Sequence, residues 1–281
     1  MVDSEDALSR LEVALAEISR QSLQKRNRHD VMLRLAALPM FEDMHEVLDS
    51  RQLGLLETLE AIRSKNLSFA RFGDGEFLLM LKAEHNIRFQ KNSPALQIAM
   101  KQALIVASTH EENILIGYPN LFHNIHWTGV FSEVWPLMKR FAVNFDRLGN
   151  SHISRPLAFE VLGSSACHAW RSLWEDSRAI VVTGRGSRFD LEPALFSNLK
   201  SVDFVYSEPA HAFVDLPRLV EELAALKPEK VLISLGPAGS ILAVELAQLG
   251  IQALDIGHLS SSYKNVMAGG RFPEDTPHHR V

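Results

Sequence analysis

The stretch Ser68-Phe-Ala-Arg-Phe-Gly-Asp-Gly-Glu-Phe77 joins a short apolar run to a glycine-flanked pair of acids. Residues 67–72 are typical of a buried strand, and residues 77–81 have the pattern of a helix start. The acids therefore lie where a strand gives way to a helix. If residues 74–76 are extended, Asp74 and Glu76 point the same way and can bind one Mg²⁺ or Mn²⁺. The alternative is an N-cap followed by a first-turn acid that the helix dipole favours.

Strand and helix patterns alternate outward from this stretch, from about residue 64 onward. The predicted strands are short, apolar and rich in β-branched residues, at 67–72, 114–118, 179–182, 202–206, 231–235 and 253–256. The predicted helices are 95–107, 131–145, 191–199, 216–226 and 240–249. Such strands are expected where helices cover both faces of a parallel sheet. We therefore predict an α/β fold, a Rossmann-like, mostly parallel sheet with helices on both faces.

The first 60 residues show helical periodicity without recognisable chemistry. Residues 4–24 form an amphipathic pattern, residues 24–29 a polar and basic break, and residues 31–62 a second helical pattern interrupted at Pro39. We predict an N-terminal helical extension at 1–60 and an α/β domain at 61–281. The apolar stripe can pack on the body or pair with a second copy, giving a homodimer. The stripe consists of Leu8, Leu11, Val13, Leu15, Ile18 and Leu23.

Composition excludes several classes of protein. A net charge of -5 over 281 residues argues against a general nucleic-acid or anionic-membrane binder. The single cysteine, Cys167, excludes an internal disulfide framework and fits a reducing cytoplasm. Cys167 precedes His168, but no partner residues support a thiol nucleophile. The N-terminus lacks a signal-peptide core and no apolar run spans a bilayer, so we expect a cytoplasmic protein without a transmembrane segment.

Small, charged or glycine residues follow nearly every predicted strand. Ligands bind beyond the carboxyl ends of the strands in an open α/β sheet, so these residues should converge on one edge. Residues 236–240 open a helix, and their amide groups suit a phosphate. A plain tight turn is the alternative for this segment. Its candidate binding residues are Gly236, Pro237, Gly239 and Ser240.

Positively charged and titratable residues follow two other strands. The loop 183–188 carries Arg185 and Arg188 among glycines, which suits bidentate phosphate contacts, although solvated arginines on a turn are the alternative. Asp255 and His258 end the last strand. His258 could ligate a metal, act as a base or donate to a diphosphate, and a structural histidine is the alternative.

Four motifs in this order resemble those of the bacterial GT-D-type glycosyltransferases, formerly a domain of unknown function. They are Phe69-Ala-Arg-Phe-Gly-Asp-Gly-Glu-Phe77, Ser197-Asn-Leu-Lys-Ser201 with Ala212-Phe213, Leu235-Gly-Pro-Ala-Gly-Ser240, and Ala253-Leu-Asp-Ile-Gly-His258. The resemblance covers roughly residues 60–265. It implies a Rossmann-like fold and transfer of a sugar from a nucleotide-sugar donor, typically UDP-linked, with a divalent cation.

The resemblance also implies roles for individual residues. Asp74 and Glu76, flanked by Gly73 and Gly75, would handle Mn²⁺ or Mg²⁺ and the diphosphate. Arg71 and the segments 236–240 and 255–258 would line the donor pocket, where His258 or Asp255 could act as a base if the reaction inverts. Three segments depart from the family pattern: Tyr118-Pro119-Asn120 replaces Ile-Pro-Asp, Ala238-Gly239 replaces Thr-Ala, and Tyr263-Lys264-Asn265 replaces Tyr-Glu-Trp.

Three functional hypotheses follow from these residues. The first is a metal-dependent glycosyltransferase that moves a sugar from a nucleotide-sugar donor to a glycan or glycoprotein acceptor. The second is a nucleotide-binding module without catalysis, which the departures from the family pattern favour. The third is a nucleotide-sugar hydrolase or sugar-phosphate enzyme on a similar sheet, which acceptor-independent phosphate release would favour.

Overall fold

The computed structural model describes residues 2–87 and 89–275, without the side chains of residues 2–11 and 13. Within these residues, seven strands form one sheet and eleven helices surround it. The strands are β1 (Ser68–Arg71), β2 (Ile114–Tyr118), β3 (Gly149–Asn150), β4 (Arg178–Gly184), β5 (Ser201–Ser207), β6 (Lys230–Ser234) and β7 (Ala253–Asp255). The helices are α1 (Val2–Leu48), α2 (Leu55–Lys65), α3 (Asp74–Leu81), α4 (Pro94–Ala107), α5 (Ile125–Ala142), α6 (Pro156–Leu162), α7 (Ser164–Ser172), α8 (Pro193–Phe196), α9 (Leu216–Leu226), α10 (Pro237–Gln248) and α11 (Leu259–Met267).

Neighbouring strands of the sheet run parallel, in the order β3-β2-β1-β7-β6-β4-β5. The chain builds one half of the sheet with β1 to β3 and then crosses to β4 in the other half. The last strand, β7, returns to the centre and pairs with β1 at Phe69 and Leu254. Parallel strands bring their carboxyl ends to one edge, so the segments after β1, β7, β6 and β4 are neighbours. The predicted α/β class with a parallel sheet is confirmed.

Helices cover both faces of this sheet, as predicted. On β1, Ala70 packs into a cluster with α1, α3, α4, α5, α9 and α10, whereas Phe69 packs on the opposite face with α2, α6, α7, α8 and α11. Burial on both faces explains why the strands read as continuous apolar runs. The tryptophans Trp170 and Trp174 are fully buried in the second cluster and stack at 5.6 Å.

The N-terminal helix differs from its prediction. The predicted break at residues 24–29 is wrong, because α1 continues through it. These residues have ordinary helix propensities, and their polarity reflects exposure to water. Pro39 lies inside α1 on an exposed side, where the carbonyl that loses its N–H partner can bind water.

The end of α1 and all of α2 pack onto the sheet domain. Phe41 and Met44 are buried in one core cluster, and Leu59 and Ile62 are buried in the other. Residues 37–62 therefore contribute to the core, and the part of α1 that stands apart from the body precedes Ala37. None of the described helices is both long and apolar enough to cross a membrane.

Candidate active site

A cavity opens at the carboxyl edge of the sheet, where β1, β4, β6 and β7 end. Arg71 and Phe89 form part of its wall, and the remainder comes from the segments 184–189, 208–212, 234–236 and 257–261. The cavity therefore combines six separate regions of the sequence. Four of the predicted strand ends, after β4, β5, β6 and β7, contribute to it as expected.

Arg71 is the most firmly held cation of this cavity. Its Nη2 donates to Asp255 Oδ1 at 3.0 Å, and its Nη1 donates to Ser154 Oγ at 3.1 Å. Ser240 Oγ donates to the carbonyl of Arg71 at 2.6 Å and also lies 3.2 Å from Asp255 Oδ2. A Cβ on Gly257 would lie 1.9 Å from Nη2 of Arg71, so the guanidinium packs directly against the glycine backbone. The guanidinium is fixed before any ligand binds.

Burial, with support from nearby arginines, keeps His258 neutral. His258 lines the cavity, and burial, reinforced by Arg155, Arg71 and Arg188, lowers its pKa to about 3. Arg188 also lines the cavity, and its Nη1 donates to the carbonyls of Pro273 at 2.8 Å and Glu274 at 3.0 Å. Two arginines and a neutral imidazole therefore face the space. This set of hydrogen-bond donors is suited to an anion such as a diphosphate.

Only the first residue of the predicted segment 236–240 reaches the cavity. Gly236 lines it with a positive φ of 57°, which glycine adopts readily. A Cβ at this position would lie 2.4 Å from Cε2 of Phe89, so the glycine makes room for that ring. Pro237, Gly239 and Ser240 are buried, and the amide of Gly239 donates to the carbonyl of Gly236 at 2.8 Å. The helix start is therefore mainly a packed turn.

The two acids after β1 are helical and not extended, so the extended alternative is wrong. Asp74 begins α3, Gly73 is its N-cap, and Oε2 of Glu76 accepts a hydrogen bond from the Gly73 amide at 2.9 Å. This bond is the glutamate half of a capping box, since Gly73 has no side chain to return one, and it favours a helix over a strand here. Residues two apart on a helix differ in direction by about 200°. The prediction that Asp74 and Glu76 point the same way is therefore wrong.

The two carboxylates lie in different environments. Burial raises the pKa of Glu76 to about 7, Arg71 opposes the rise, and Asp255 and Asp74 add to it. Within the described residues, the carboxylate of Asp74 makes no hydrogen bond or ion pair, and this side chain is partly exposed. No group of three or more metal-ligating side chains occurs in that part of the chain. A cation here would rely on Asp74 and on ligands from a substrate.

Several predicted residues lie away from the cavity wall. Arg185 is exposed and its guanidinium covers the ring of Tyr206 at 5.5 Å, as a cation–π pair. Asp255 is fully buried beneath Arg71, where it positions the arginine. The pair Asp74 and Glu76, with Gly73 and Gly75, follows β1 but does not line the cavity.

Three lining residues were not predicted as site residues. Phe89 comes from the irregular segment between α3 and α4, and its carbonyl accepts from the amide of His211 at 2.9 Å. His211 has a positive φ of 59° and accepts from the amide of Lys91 at 3.2 Å. Glu208 follows β5 and is an acid among the cations. Only Glu208 could be found from its place after a strand, whereas Phe89 and His211 meet through tertiary contacts alone.

A second group of aromatic side chains follows β2 and β3 on the same edge. Phe122 and Trp127 stack at 5.0 Å, and His152 lies 5.1 Å from Phe122, each between ring centroids. Both Phe122 and Trp127 are partly exposed. Burial, together with Arg155 and Arg71, lowers the pKa of His152 to about 3, and its Nδ1 accepts from the amide of Asn120. We call Phe122, Trp127 and His152 the aromatic cluster.

The family comparison agrees with this geometry. Residues 69–271 match the family model described as Glycosyltransferase GT-D fold, which covers most of the chain and includes both the cavity and the aromatic cluster. The chain belongs to the GT-D glycosyltransferase family. The predicted resemblance is confirmed.

Two curated relatives come from streptococci. Glycosyltransferase GlyD of Streptococcus pneumoniae serotype 4 (strain ATCC BAA-334 / TIGR4) is 27% identical over 230 residues, which is 78% of this chain and 28% of that protein. Probable glycosyl transferase Gly of Streptococcus gordonii is 25% identical over 231 residues, 77% of this chain and 33% of that protein. The chain thus spans a third or less of the length of these relatives.

Solved structures show the same fold. One is described as "The highly conserved domain of unknown function 1792 has a distinct glycosyltransferase fold"; it has a TM-score of 0.70 and 25% identity, over 83% of this chain and 87% of that one. Another, described as "A New Glycosyltransferase (DUF1792) from Streptococcus sanguinis", has a TM-score of 0.67 and 24% identity, over 78% and 85%. These structures therefore share the fold of this chain over most of its length.

Proposed function

We propose that this GT-D chain is a glycosyltransferase that moves a sugar from a nucleotide-sugar donor, with UDP as the expected nucleotide, to a glycan or glycoprotein acceptor. The observation that carries the proposal is the fixed guanidinium of Arg71 in the cavity at the sheet edge. An arginine held by Asp255 and Ser154 needs no reorganisation when an anion arrives. Family membership supports the reaction class.

The donor diphosphate is proposed to bind between Arg71 and Arg188. Both line the cavity, and guanidinium groups bind phosphate oxygens through their charge and their hydrogen bonds. Gly236 makes room for the ring of Phe89, and this ring offers an apolar wall for a base or a sugar. The positive charges of Arg71 and Arg188 stabilise the negative charge that develops on the leaving diphosphate.

A divalent cation, Mn²⁺ or Mg²⁺, is proposed to bind at Asp74, whereas Glu76 points in a different direction on α3 and would reach the ion with its second oxygen only through a bridging water or substrate group. When bound, such an ion neutralises charge on the leaving diphosphate and orients it. The metal-ligating atoms present fit such an ion, because Asp74 offers an unpaired carboxylate and hard cations prefer oxygen ligands. The fit is better for Asp74 than for Glu76, since one oxygen of Glu76 caps α3.

The two predicted bases, Asp255 and His258, are proposed to have different roles. Asp255 is buried in its ion pair and is proposed to position Arg71. His258 faces the cavity as a neutral imidazole, so it can accept a proton from an acceptor hydroxyl if the reaction inverts, or donate to the diphosphate if it does not. The two mechanisms share the same donor site.

The acceptor is proposed to bind on the β2 and β3 side, over the aromatic cluster. Phe122 and Trp127 present partly exposed ring faces, and the C–H faces of a sugar stack on such rings. The indole N–H of Trp127 makes no hydrogen bond within the described residues, so it can donate to a sugar hydroxyl. Asp74 and Glu76, after β1, separate this cluster from the donor cavity, because β1 lies between β2 and β7.

The remaining partners belong to the same proposal. We infer a cytoplasmic setting from the single cysteine, and no nucleic-acid partner from the net charge of -5. We also infer that the chain forms a homodimer through its N-terminal helices. The division into an extension at 1–60 and a domain at 61–281 is part of this proposal, with residues 37–60 packed on the domain.

Calorimetric titration with UDP and several UDP-sugars, with and without Mn²⁺, tests the donor site. We expect binding that requires Mn²⁺ and falls at least tenfold in Asp74→Asn, while Asp203→Asn, an exposed acid on β5, binds like the natural protein. Sugar release to water without acceptor would instead indicate a hydrolase. Binding without turnover in an acceptor-rich extract would indicate a non-catalytic module, and no binding by the folded protein would remove the donor site.

A further inference from the structure

Residues 14–36 of α1 lie in water, away from the body of the molecule. Each of them is exposed except Glu17 and Asp30, which are partly exposed. This segment is about 35 Å long at 1.5 Å per residue. Most of the stability of a helix in a protein comes from packing of its apolar face, so a surface that covers this segment would stabilise it.

The exposed segment carries an apolar stripe that continues the buried face of α1. Leu15 is 55% exposed and Ile18 is 60% exposed. At about 100° per residue, Leu15 lies within about 20° of Met44, and Ile18 within about 20° of Val47. Met44 and Val47 are both buried against the body. The same face is thus covered at one end of α1 and uncovered at the other.

Charges divide α1 into two opposite halves. Residues 3–17, the acidic segment, contain five acids and one arginine, for a net charge of −4. Residues 20–34, the basic segment, contain five Lys or Arg and one acid, for a net charge of +4. The helix dipole does not account for the basic segment, because α1 continues to Leu48 and the dipole acts only in the last turn.

We propose that α1 of one copy packs antiparallel against α1 of a second copy, with each acidic segment against the partner's basic segment. The centre of each acidic segment then faces the centre of the partner's basic segment. The twofold axis lies near residue 18 and makes both contacts at once. A parallel pair would place −4 against −4 and +4 against +4, which is repulsive. The apolar stripe around Leu15 and Ile18 forms the centre of the antiparallel contact. This inference is independent of the proposed enzymatic function.

Light scattering after gel filtration of the full chain tests the association. We expect a dimer for the natural protein, weakened by 1 M salt. The variant Lys25→Glu/Arg26→Glu/Arg28→Glu and the variant Glu5→Lys/Glu12→Lys/Glu17→Lys should each self-associate about 100-fold more weakly, from the sum of several pair energies. An equimolar mixture of the two should restore the dimer. A monomeric natural protein, or two variants that remain dimeric, would overturn the proposal.

Cysteine cross-linking tests the orientation in a Cys167→Ser background. In the antiparallel pair, Leu15→Cys lies opposite Ser22→Cys of the partner on the face of Ile18, whereas two copies of Leu15→Cys lie about 10 Å apart along the helix axis. Mild oxidation should therefore form a disulfide in a mixture of the two variants and in neither variant alone, because a disulfide needs Cα atoms within about 7 Å. Links within each single variant would show a parallel pair and overturn the orientation. Far-UV circular dichroism of each variant confirms that α1 still forms.

Discussion

Arg71 on β1 and Asp255 on β7 form an ion pair of 3.0 Å between residues 184 positions apart in sequence. The carboxylate is 1% exposed and the guanidinium side chain is 13% exposed. This pair joins the two halves of the sheet at the strand ends and aims an arginine at the cavity. One contact thus serves both the fold and the site.

Replacing Asp255 should affect stability and donor binding together. Asp255→Asn leaves a buried arginine without its counter-charge, and we expect the free energy of unfolding in urea to fall by about 3 kcal/mol. The matched change Ser240→Ala removes a neutral hydrogen bond beside it and should cost about 1 kcal/mol. Equal losses for the two variants would contradict the importance of the buried charge. Nucleotide affinity of the folded Asp255→Asn protein should fall as Arg71 loses its fixed position.

The two arginines of the loop after β4 give a matched pair for the donor site. Arg188 lines the cavity and Arg185 covers Tyr206 outside it. We expect Arg188→Ala to weaken UDP binding about tenfold or more, which corresponds to the loss of one charged hydrogen-bonding group. Arg185→Ala should bind UDP like the natural protein in the same calorimetric titration. A larger loss of UDP affinity in Arg185→Ala than in Arg188→Ala would show that the diphosphate binds outside the cavity.

Gly236 and Gly250 separate a steric effect from backbone strain. Both have a positive φ, of 57° and 74°, but a Cβ meets Phe89 only at Gly236. Gly250→Ala should therefore cost about 1 kcal/mol of strain, measured by urea unfolding. Gly236→Ala should cost more and weaken donor binding, and Phe89→Ala in the same chain should restore part of the stability. If the two alanine variants behave alike, the contact with Phe89 is unimportant.

The pKa of Glu76 predicts a pH-dependent stability difference. The native carboxyl group titrates at about 7 instead of 4.5, so its contribution to stability is present below pH 4.5 and is lost as the pH rises to 7. Glu76→Gln cannot titrate and still accepts the Gly73 amide bond. We expect the stability of the variant, relative to the natural protein, to increase by about 2 kcal/mol between pH 4.5 and pH 8. A pH-independent difference in urea unfolding would refute it.

The pKa of His258 predicts a change of stability with pH in the opposite direction. Its native pKa of about 3 lies below the ordinary 6.5, so the unfolded chain gains a proton first and stability falls as the pH decreases from 6.5 towards 3. His258→Asn should lose about 2 kcal/mol less than the natural protein between pH 6.5 and pH 4. Urea unfolding at each pH checks this, and a pH-independent difference between His258→Asn and the natural protein would contradict it.

Hydrophobic patterning was sufficient for most of the fold. The long apolar strands 114–118 and 179–182 were found, because parallel strands buried on both faces leave an unbroken apolar run. Strand β3 was missed, since Gly149 and Asn150 carry no apolar signal and pair only through the neighbouring β2. Predicted helix 191–199 reduces to α8, Pro193–Phe196, where Pro193 starts a short turn.

The site was predictable where it follows a strand and unpredictable where it depends on packing. Arg71, Arg188, Gly236 and His258 line the cavity; strand-end positions identified the last three, and the family resemblance implied Arg71. Local chemistry could not show that Ser240 and Asp255 would be buried beneath Arg71. The extended alternative for Asp74 and Glu76 failed because the carboxylate of Glu76 accepts the hydrogen bond of the Gly73 amide, and this local bond favours a helix.

The central pairing of β1 with β7 also sets the order in which the chain can complete its fold during synthesis. The partner of β1 on this side is translated 184 residues later, which takes about 10–40 s at ordinary ribosomal rates. Until then β1 has an open edge of unpaired amides and carbonyls, a known template for aggregation. The sheet can therefore close only after its last strand has been synthesised.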